Sequence, residues 1–383
     1  MGERMTKEEM NIGLALSGGG MRAAVFHLGI LQYLASADLL QHVTHISSVS
    51  GASICIGLIL GNHDGTWPDN DAFLNEVLPQ IKVALTEKDV QWHALARLVI
   101  EPYYWDKKAN LLANVMERKW NVKGCLQDIT TMPRWTINTT AYETGKDFRI
   151  AQHAMGEAET GLVMNPELPI SHAVAASAGF PVLIGPYKLH TKKYQWWDEE
   201  HQRVVPEDKV YHLWDGGVYD NMGLDPLFHI GYHSHFSKDI NYLIVSNASG
   251  VIDHKTRRLD FSIENLKRLL DISMDQVESL RSTSVLSYVR QHKNGLYIKI
   301  GTKVSDILQQ CELPYEKKEH YLQEALSNDM VKQVEDYPTN LSKMSKHDFE
   351  LIKGHGYELA RVQFEEQFAG IRTASDVCHT FRK

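Results

Sequence analysis

Three short segments of the chain carry residue types that could act together in ester hydrolysis. The first, Ser17-Gly-Gly-Gly-Met-Arg22, directly follows the apolar run 12–16. Glycines let the backbone turn tightly and point several N–H groups at one place, and a helix that begins behind them adds its positive end. The segment therefore predicts a loop that binds a phosphate or an oxyanion.

The second segment offers a nucleophile. Ser50 follows the strand-like run 43–47 and occupies the central position of a pattern close to Gly-x-Ser-x-Gly, which places a serine on a strained turn between a strand and a helix. The small residues Ser48 and Ala52 stand where glycine is usual. A helix over 54–60 would favour negative charge developing at Ser50. The alternative is a serine that only caps this helix.

The third segment, 213–223, contains Asp215 followed by two glycines and then by Asp220-Asn-Met-Gly223. Asp215 could face the serine as a base, or it could belong to a structural Asp-Gly turn. A fourth segment, 173–181, reads Ala-Val-Ala-Ala-Ser-Ala-Gly-Phe-Pro and lies between the serine and the aspartate.

In this order, the four segments resemble those of the patatin-like phospholipase family. The resemblance implies acyl-ester hydrolysis by a Ser–Asp dyad without a histidine, in which Ser50 attacks and Asp215 takes its proton. A carboxylate with an ordinary pKa near 4 is a weak base, so Asp215 would have to be close to Ser50 and partly desolvated. The resemblance also assigns the oxyanion hole to the loop residues Gly18, Gly19, Gly20 and Met21, with Arg22 holding the loop or a lipid phosphate.

Two other functions stay open at this point. With 19 histidines in the chain, a Ser–His–Asp triad acting on soluble esters is possible, and chain order would allow His229, His254 or His292. A catalytically silent family member that only binds or regulates is the other alternative, supported by Ser48 and Ala52.

Cofactor sites are not predicted. Gly18-x-Gly20-x-x-Ala23 fits a dinucleotide-binding fingerprint in spacing, but the second strand ends in serines rather than in an acidic residue. His233 and His235 have no carboxylate or cysteine at ligand spacing, so we expect neither a metal nor an organic cofactor.

Composition limits the class of protein. The chain has 383 residues, 43% of them hydrophobic, and a net charge of −8, which argues against a nucleic-acid binder. It contains no run of eighteen apolar residues, and its four cysteines, Cys55, Cys125, Cys311 and Cys378, form no disulfide framework. We therefore expect a cytoplasmic protein, and the family resemblance implies that it acts peripherally at a membrane surface on phospholipid.

The elements that position these residues alternate between strand and helix from 12 to about 250, which predicts an α/β fold. The resemblance implies a three-layer α/β/α arrangement with a central, mostly parallel sheet in a core over 10–260. A helical insertion is expected at about 70–125. Its aromatic residues could pack the insertion onto the sheet, line an acyl pocket or touch lipid: Trp92, Tyr103, Tyr104, Trp105 and Trp120.

Beyond the core, residues 261–383 are expected to form a helical extension packed on it, with a long amphipathic helix over 263–280 and a strand over 295–300. This extension could be a lid, a dimer surface or a regulatory region, and the resemblance implies activation by oligomerisation or by a ligand. Within the core, 188–197 predicts a β-hairpin with its tip at 198–202 rather than a basic-aromatic membrane contact. The stretch 229–235 indicates a helix end and a surface loop.

Overall fold

The computed structural model describes residues 6–181, 184–250 and 263–368, so that His254 and Cys378 lie outside the described residues. The strands of this part of the chain are β1 Ile12–Leu16, β2 Val43–Val49, β3 Arg134–Ala141, β4 Asp147–Ala151, β5 Ala154–Glu157, β6 Gly161–Met164, β7 Tyr187–His190, β8 Trp196–Trp197, β9 Arg203–Val204, β10 Val210–Asp215, β11 Phe228–His229, β12 His235–Phe236, β13 Tyr242–Asn247 and β14 Gly295–Lys299.

Most of these strands form one mixed sheet in the order β14-β13-β1-β2-β3-β4-β5-β6-β8-β9. The five strands from β14 to β3 are parallel. From β3 onward the pairs are antiparallel, and β10 pairs with both β3 and β7 in the same sense. The predicted α/β fold with a mostly parallel centre is confirmed, and the antiparallel flank is an addition, built from strands that follow one another through short turns.

The helices flank this sheet and make up most of the described C-terminal part. They are α1 Gly20–Ser36, α2 Gly51–Gly61, α3 Asn70–Ala72, α4 Leu78–Glu87, α5 Val90–Ile100, α6 Lys108–Trp120, α7 Ile170–Ser177, α8 Gly217–Asp220, α9 Ile263–His292, α10 Val304–Gln310, α11 Tyr315–Glu324, α12 Asn328–Glu335 and α13 Lys346–Gln367. A π-helical turn, Phe73–Val77, joins α3 to α4. Short 3₁₀ turns lie at Lys7–Glu9, Leu40–His42, Pro102–Tyr104, Leu126–Asp128 and Thr191–Lys193.

The elements around the candidate site are the most deeply buried. All five residues of β1 are buried, as expected for a central strand of a parallel sheet that is covered on both faces. Helix α2 is apolar on every side and is buried from Gly51 to Leu60. The site is therefore held by elements that have little freedom to move.

The C-terminal helices contact the first helix of the chain. Helix α13 packs along α1, where the ring of Phe26 lies 5.8 Å from that of His355 and the ring of Tyr33 lies 5.5 Å from that of Phe364. The amphipathic helix predicted over 263–280 runs on to His292 as α9.

Two local predictions had different outcomes. Strands β8 and β9 pair as a hairpin with its tip at 198–202, as predicted, but only Trp196–Trp197 of the stretch 188–197 belongs to it, because Tyr187–His190 pairs with β10. For the stretch 229–235, the predicted helix end is wrong, because His229 pairs with His235 in a two-stranded antiparallel ribbon, whereas 230–234 form a surface loop as predicted. Among the described helices, none combines the length and the apolar character needed to cross a bilayer.

Candidate active site

The register of β3 brings the predicted nucleophile and base together. Val49, the last residue of β2, pairs with Asn138, and Asp215, the last residue of β10, pairs with Thr139. Because Asn138 and Thr139 are consecutive, the ends of β2 and β10 meet at one place. Ser50, which follows β2 directly, therefore lies beside Asp215.

Ser50 occupies a strained turn between β2 and α2. Its φ is 52° and its ψ is −113°, a combination that non-glycine residues rarely adopt. Its amide donates to the Ser177 hydroxyl at 2.9 Å, so the fourth sequence segment holds the elbow in place. Gly51 allows the turn to meet the glycine loop, because a Cβ there would stand 2.1 Å from the carbonyl oxygen of Gly20.

The serines that lie near this turn in the sequence differ in burial and in hydrogen bonding. The side chains of Ser48, Ser53 and Ser177 are fully buried. The Ser53 hydroxyl is hydrogen-bonded to that of Ser48 and to that of Ser177, each at 2.9 Å. The indole of Trp135 donates to Ser48 at 2.8 Å. Ser50 is partly exposed and lines a cavity. Neither Ser48 nor Ala52 has a positive φ, so the elbow forms without glycine at either position.

Asp215 is almost completely buried, with 2% of its surface exposed. Burial raises the pKa of its carboxyl group to about 6, although hydrogen bonds from the Ser50 side chain and the Gly217 amide lower it. The Gly217 amide donates to Oδ1 at 2.8 Å. The carboxylate is thus desolvated and faces Ser50, which is the environment that the dyad would require.

Two backbone amides of the glycine loop already donate hydrogen bonds within the described part of the chain, and two do not. The amide of Gly18 donates to the carbonyl of Asn221 at 2.9 Å, and that of Met21 donates to the carbonyl of Asn340 at 3.1 Å. Within the described residues, the amides of Gly19 and Gly20 have no such acceptor. These two glycines also have positive φ values of 137° and 58° at the N-terminus of α1.

Arg22 binds the C-terminal part of the chain and also lines a cavity beside Ser50. Its Nη1 donates to the carbonyls of Glu335 at 2.6 Å and Tyr337 at 3.2 Å, while its Nε is buried without a partner among the described atoms. Burial lowers the pKa of Arg22 to about 10, so the guanidinium stays protonated at neutral pH. Sequence reasoning left two roles for this arginine, and these contacts match a role in holding the loop.

The Asp-Asn-x-Gly stretch after Asp215 forms a turn that supports the same loop. The Asp220 carboxylate accepts hydrogen bonds from the backbone amides of Met222, Leu224 and Asp225, at 3.1, 2.7 and 3.0 Å. The turn presents the carbonyl of Asn221 to Gly18, and the Asn221 side chain donates to Ser249 at 2.8 Å.

A cavity of about 1570 Å³ opens beside Ser50 and Asp215. It is larger than the few hundred to about 1,000 Å³ typical of small-molecule sites. Much of its wall is apolar and comes from the insertion, the fourth segment and the C-terminal part, including Ala94, Leu98, Leu112, Phe180, Met274 and Leu341. No histidine occurs among the described residues that line it.

The histidine candidates for a triad lie elsewhere. His229 and His292 are exposed and do not line the cavity. His27 is buried behind the glycine loop, where its Nε2 donates to the Ser17 carbonyl at 2.9 Å and its Nδ1 accepts from Ser246 at 2.8 Å. Burial lowers the pKa of His27 to about 4, so it is a neutral structural residue.

A glycine loop, a serine on a strained strand-to-helix turn and a buried carboxylate lie at one cavity of an α/β protein, an arrangement with the geometry of a nucleophile elbow. A family model described as patatin-like phospholipase matches residues 14–228, which is more than half of the chain. The chain therefore belongs to the patatin-like phospholipase family. No curated protein sequence matches it.

Solved structures share the fold. Human GIVD cytosolic phospholipase A2 aligns with a TM-score of 0.55 and 13% identity, over 94% of this chain and 59% of that one. The same human protein in complex with methyl gamma-linolenyl fluorophosphonate inhibitor and terbium chloride aligns with a TM-score of 0.50 and 12% identity, over 96% of this chain and 60% of that one. The chain thus spans less than two thirds of the human protein's length. The structural likeness covers nearly all of this chain, including its C-terminal helices.

Proposed function

We propose that this protein is a lipid acyl hydrolase of the phospholipase A type, with Ser50 as nucleophile and Asp215 as base. The observation that carries the proposal is the strained Ser50 turn facing a desolvated Asp215 at one cavity. Membership of the patatin-like phospholipase family supports the same chemistry.

The reaction divides into two halves. Asp215 takes the Ser50 hydroxyl proton as Oγ attacks the ester carbonyl, and the same proton then passes to the departing alcohol, a lysophospholipid. The resulting acyl-Ser50 ester is cleaved by a water molecule that gives its proton to Asp215. As the fatty acid leaves, Asp215 passes that proton to Oγ, which restores the free Ser50 hydroxyl and the ionised carboxylate. A carboxyl pKa near 6 suits these transfers better than an ordinary one, because the base is then closer in pKa to the working pH.

The oxyanion would be held by the glycine loop. Of the amides of Gly18, Gly19, Gly20 and Met21, we assign the hole to Gly19 and Gly20, since the other two already donate to backbone carbonyls. The positive end of α1 lies at the same place and would add to their effect. Arg22 and the amides of Gly18 and Met21 would keep the loop in shape.

A membrane phospholipid is the substrate class that fits this cavity best. The apolar part of its wall and its volume of about 1570 Å³ would accommodate a fatty-acyl chain together with part of the glycerol backbone. We propose that the protein acts peripherally at a membrane surface, on the cytoplasmic side expected from the sequence.

The dyad is tested by intact-mass labelling with an alkyl fluorophosphonate, which traps an activated serine whatever its natural substrate. We expect one adduct on the wild type and none on Ser50→Ala or Asp215→Asn. Two matched controls should still be labelled: Ser279→Ala, at an exposed serine of α9, and Asp275→Asn, at an exposed carboxylate of the same cavity. A label that survives in Ser50→Ala would contradict the assignment.

The same assay separates the alternatives. Loss of the adduct in His229→Ala or His292→Ala would favour a triad esterase. No adduct on the folded wild type, with or without phosphatidylcholine vesicles, would favour a silent member of the family. Release of fatty acid and lysophospholipid from those vesicles, followed by mass spectrometry, would identify the ester that is cleaved.

A further inference from the structure

Helix α5 is far more apolar than its burial explains. Eight of its eleven residues are apolar, but only Val90 is buried. An amphipathic helix of a soluble domain normally hides its apolar side and shows a polar one. Here the side that faces away from the protein is apolar as well.

The two sides of α5 have different surroundings. Gln91, Ala94 and Leu98, spaced at helical intervals, line the cavity that contains Ser50. The outer side and the turn that follows carry exposed side chains, which we call the rim surface: Trp92 (66% exposed), Leu95 (46%), Val99 (81%), Ile100 (77%), Tyr103 (68%) and Trp105 (64%). Leu95 lies between the two sides, since it also lines the cavity. The rim surface is thus continuous with the mouth of the cavity.

Helix α9 repeats this arrangement at the same cavity. Its residues Arg268, Asp271 and Met274 line the cavity, while Leu266 and Leu269 are 61% and 63% exposed. Single exposed leucines are common on protein surfaces and need no explanation. Two apolar outer faces on helices that line one cavity form a larger feature, which is typical of an interaction site.

We propose that the rim surface docks on a phospholipid membrane and brings the cavity mouth against the lipid. The inference rests on the proposed function, because an acyl ester must pass from a bilayer to Ser50 with little exposure of its chain to water. Contact through the rim surface would let the chain move along an apolar path formed by Leu95 and Leu98.

The side chains of the rim surface are suited to a membrane interface. Trp92, Tyr103 and Trp105 combine an apolar ring with a polar group, which is the character enriched at the level of lipid headgroups. Two of the nearby acids are paired with cations: Glu101 forms an ion pair with Arg97 at 2.6 Å, and Asp106 with Lys188 at 2.6 Å. Lys107, whose Nζ lies 3.7 Å from the centre of the Tyr103 ring, places a cation where headgroup phosphates would lie.

Binding can be tested apart from catalysis by using the Ser50→Ala protein and sucrose-loaded vesicles of phosphatidylcholine and phosphatidylserine. We expect the added substitutions Trp92→Ser, Val99→Ser and Ile100→Ser to reduce sedimentation with vesicles at least tenfold. The matched control is Val205→Ser with Tyr232→Ser, two apolar side chains that are 86% and 98% exposed and do not line the cavity. The control should bind as Ser50→Ala does.

Equal vesicle binding by the rim variant and the control would overturn the proposal, provided that thermal melts show both to be folded. If the rim variant instead changes only the oligomeric state, measured by sedimentation velocity, the surface contacts a second copy and the proposal is likewise wrong. A protein that binds vesicles through the rim surface but takes no fluorophosphonate label would contradict the proposed hydrolase and leave the docking surface standing.

Discussion

The backbone amide of Met21 donates to the carbonyl of Asn340 at 3.1 Å, so the glycine loop is closed on one side by the segment 336–345 between α12 and α13. The same segment reaches the insertion, where the amide of Leu341 donates to the Gln91 side chain at 3.0 Å and that of Met344 donates to the Leu85 carbonyl at 3.1 Å. The C-terminal part of the chain thus links the loop proposed as the oxyanion hole to the start of α5.

Replacing Arg22 should loosen this link. Arg22→Gln removes a charged donor from the carbonyls of Glu335 and Tyr337, and hydrogen bonds to charged groups contribute about 1.5–3 kcal/mol. We expect the free energy of unfolding in urea to fall by about 2 kcal/mol and kcat on a soluble ester to fall with it.

The control for this change is Arg134→Gln. Arg134 forms an exposed ion pair with Asp239, and exposed pairs contribute only about 0–1 kcal/mol. Equal losses of stability in the two variants would show that the Arg22 contacts do not hold the loop.

A methyl group at Gly20 should disturb the loop without disturbing the core. Gly20 has a φ of 58°, and a Cβ there would stand 2.9 Å from the carbonyl carbon of Thr339. Gly20→Ala should therefore push the segment 336–345 away and lower kcat by about two orders of magnitude, as loss of an oxyanion donor does in other hydrolases. The measurement is steady-state hydrolysis of a soluble p-nitrophenyl ester.

Gly354→Ala is the matched substitution on α13. A Cβ there meets no atom within 4 Å, so the helix should gain roughly 0.5–1 kcal/mol of stability at unchanged activity. Similar activity in the two alanine variants would mean that the loop tolerates the displacement.

The buried carboxyl group of Asp215 should determine how activity depends on pH, and its ionisation should lower the stability of the folded protein. As a base it must be ionised, so kcat/KM should rise with pH through a midpoint near the pKa of about 6. The folded-state pKa lies above the ordinary value of 3.8, so the folded protein loses stability as pH rises from about 4 to about 6. Above that window, Asp215→Asn should be more stable than the wild type by on the order of 3 kcal/mol, at about 1.4 kcal/mol per pKa unit.

Thermal melts at pH 7 and near pH 4 test this prediction. The gain from Asp215→Asn should be large at pH 7 and nearly absent near pH 4, while activity is lost throughout. Asp275→Asn, in the same cavity but exposed, should change stability by no more than about 0.5 kcal/mol. A pH-independent gain in the Asp215 variant would indicate relief of packing rather than of a buried charge.

The parts of this site that the sequence could predict are those with a local signal. The glycine loop, the Ser50 turn and the Asp215 turn each depend on small residues beside a strand, and these are visible as patterns. The role of Ser177 was missed, although the fourth segment was noticed, because a hydroxyl that accepts an amide 2.9 Å away has no sequence signature. The contacts of segment 336–345 were missed for a similar reason: each joins positions far apart in the chain, and most of the acceptors are backbone carbonyls, which every residue possesses.

The same limit applies to the sheet. The central parallel strands are short apolar runs between helices and could be predicted, whereas the pairing of β10 with β3 depends on non-local register. That pairing nevertheless decides the site, since it places Asp215 next to the end of β2.

The conformation of Ser50 gives a further prediction, which separates the strain at the elbow from the chemistry. A non-glycine residue at φ 52° and ψ −113° costs roughly 1–3 kcal/mol, and glycine relieves this cost because it lacks a Cβ. Ser50→Ala keeps the Cβ and therefore the strain, while Ser50→Gly removes both. After the greater entropy of glycine in the unfolded chain is included, Ser50→Gly should be more stable than Ser50→Ala by about 1 kcal/mol in urea titrations.

Both variants lack the hydroxyl and should be equally inactive, so any difference between them reports on the backbone alone. The matched pair is Ser36→Ala and Ser36→Gly, at the exposed last residue of α1, where glycine should be the less stable of the two by up to about 1 kcal/mol. The order of stability should therefore reverse between positions 36 and 50. If alanine is the more stable residue at both positions, the turn at Ser50 is not strained, and the folded chain would hold the nucleophile through its contacts with Ser177 and Gly51 instead.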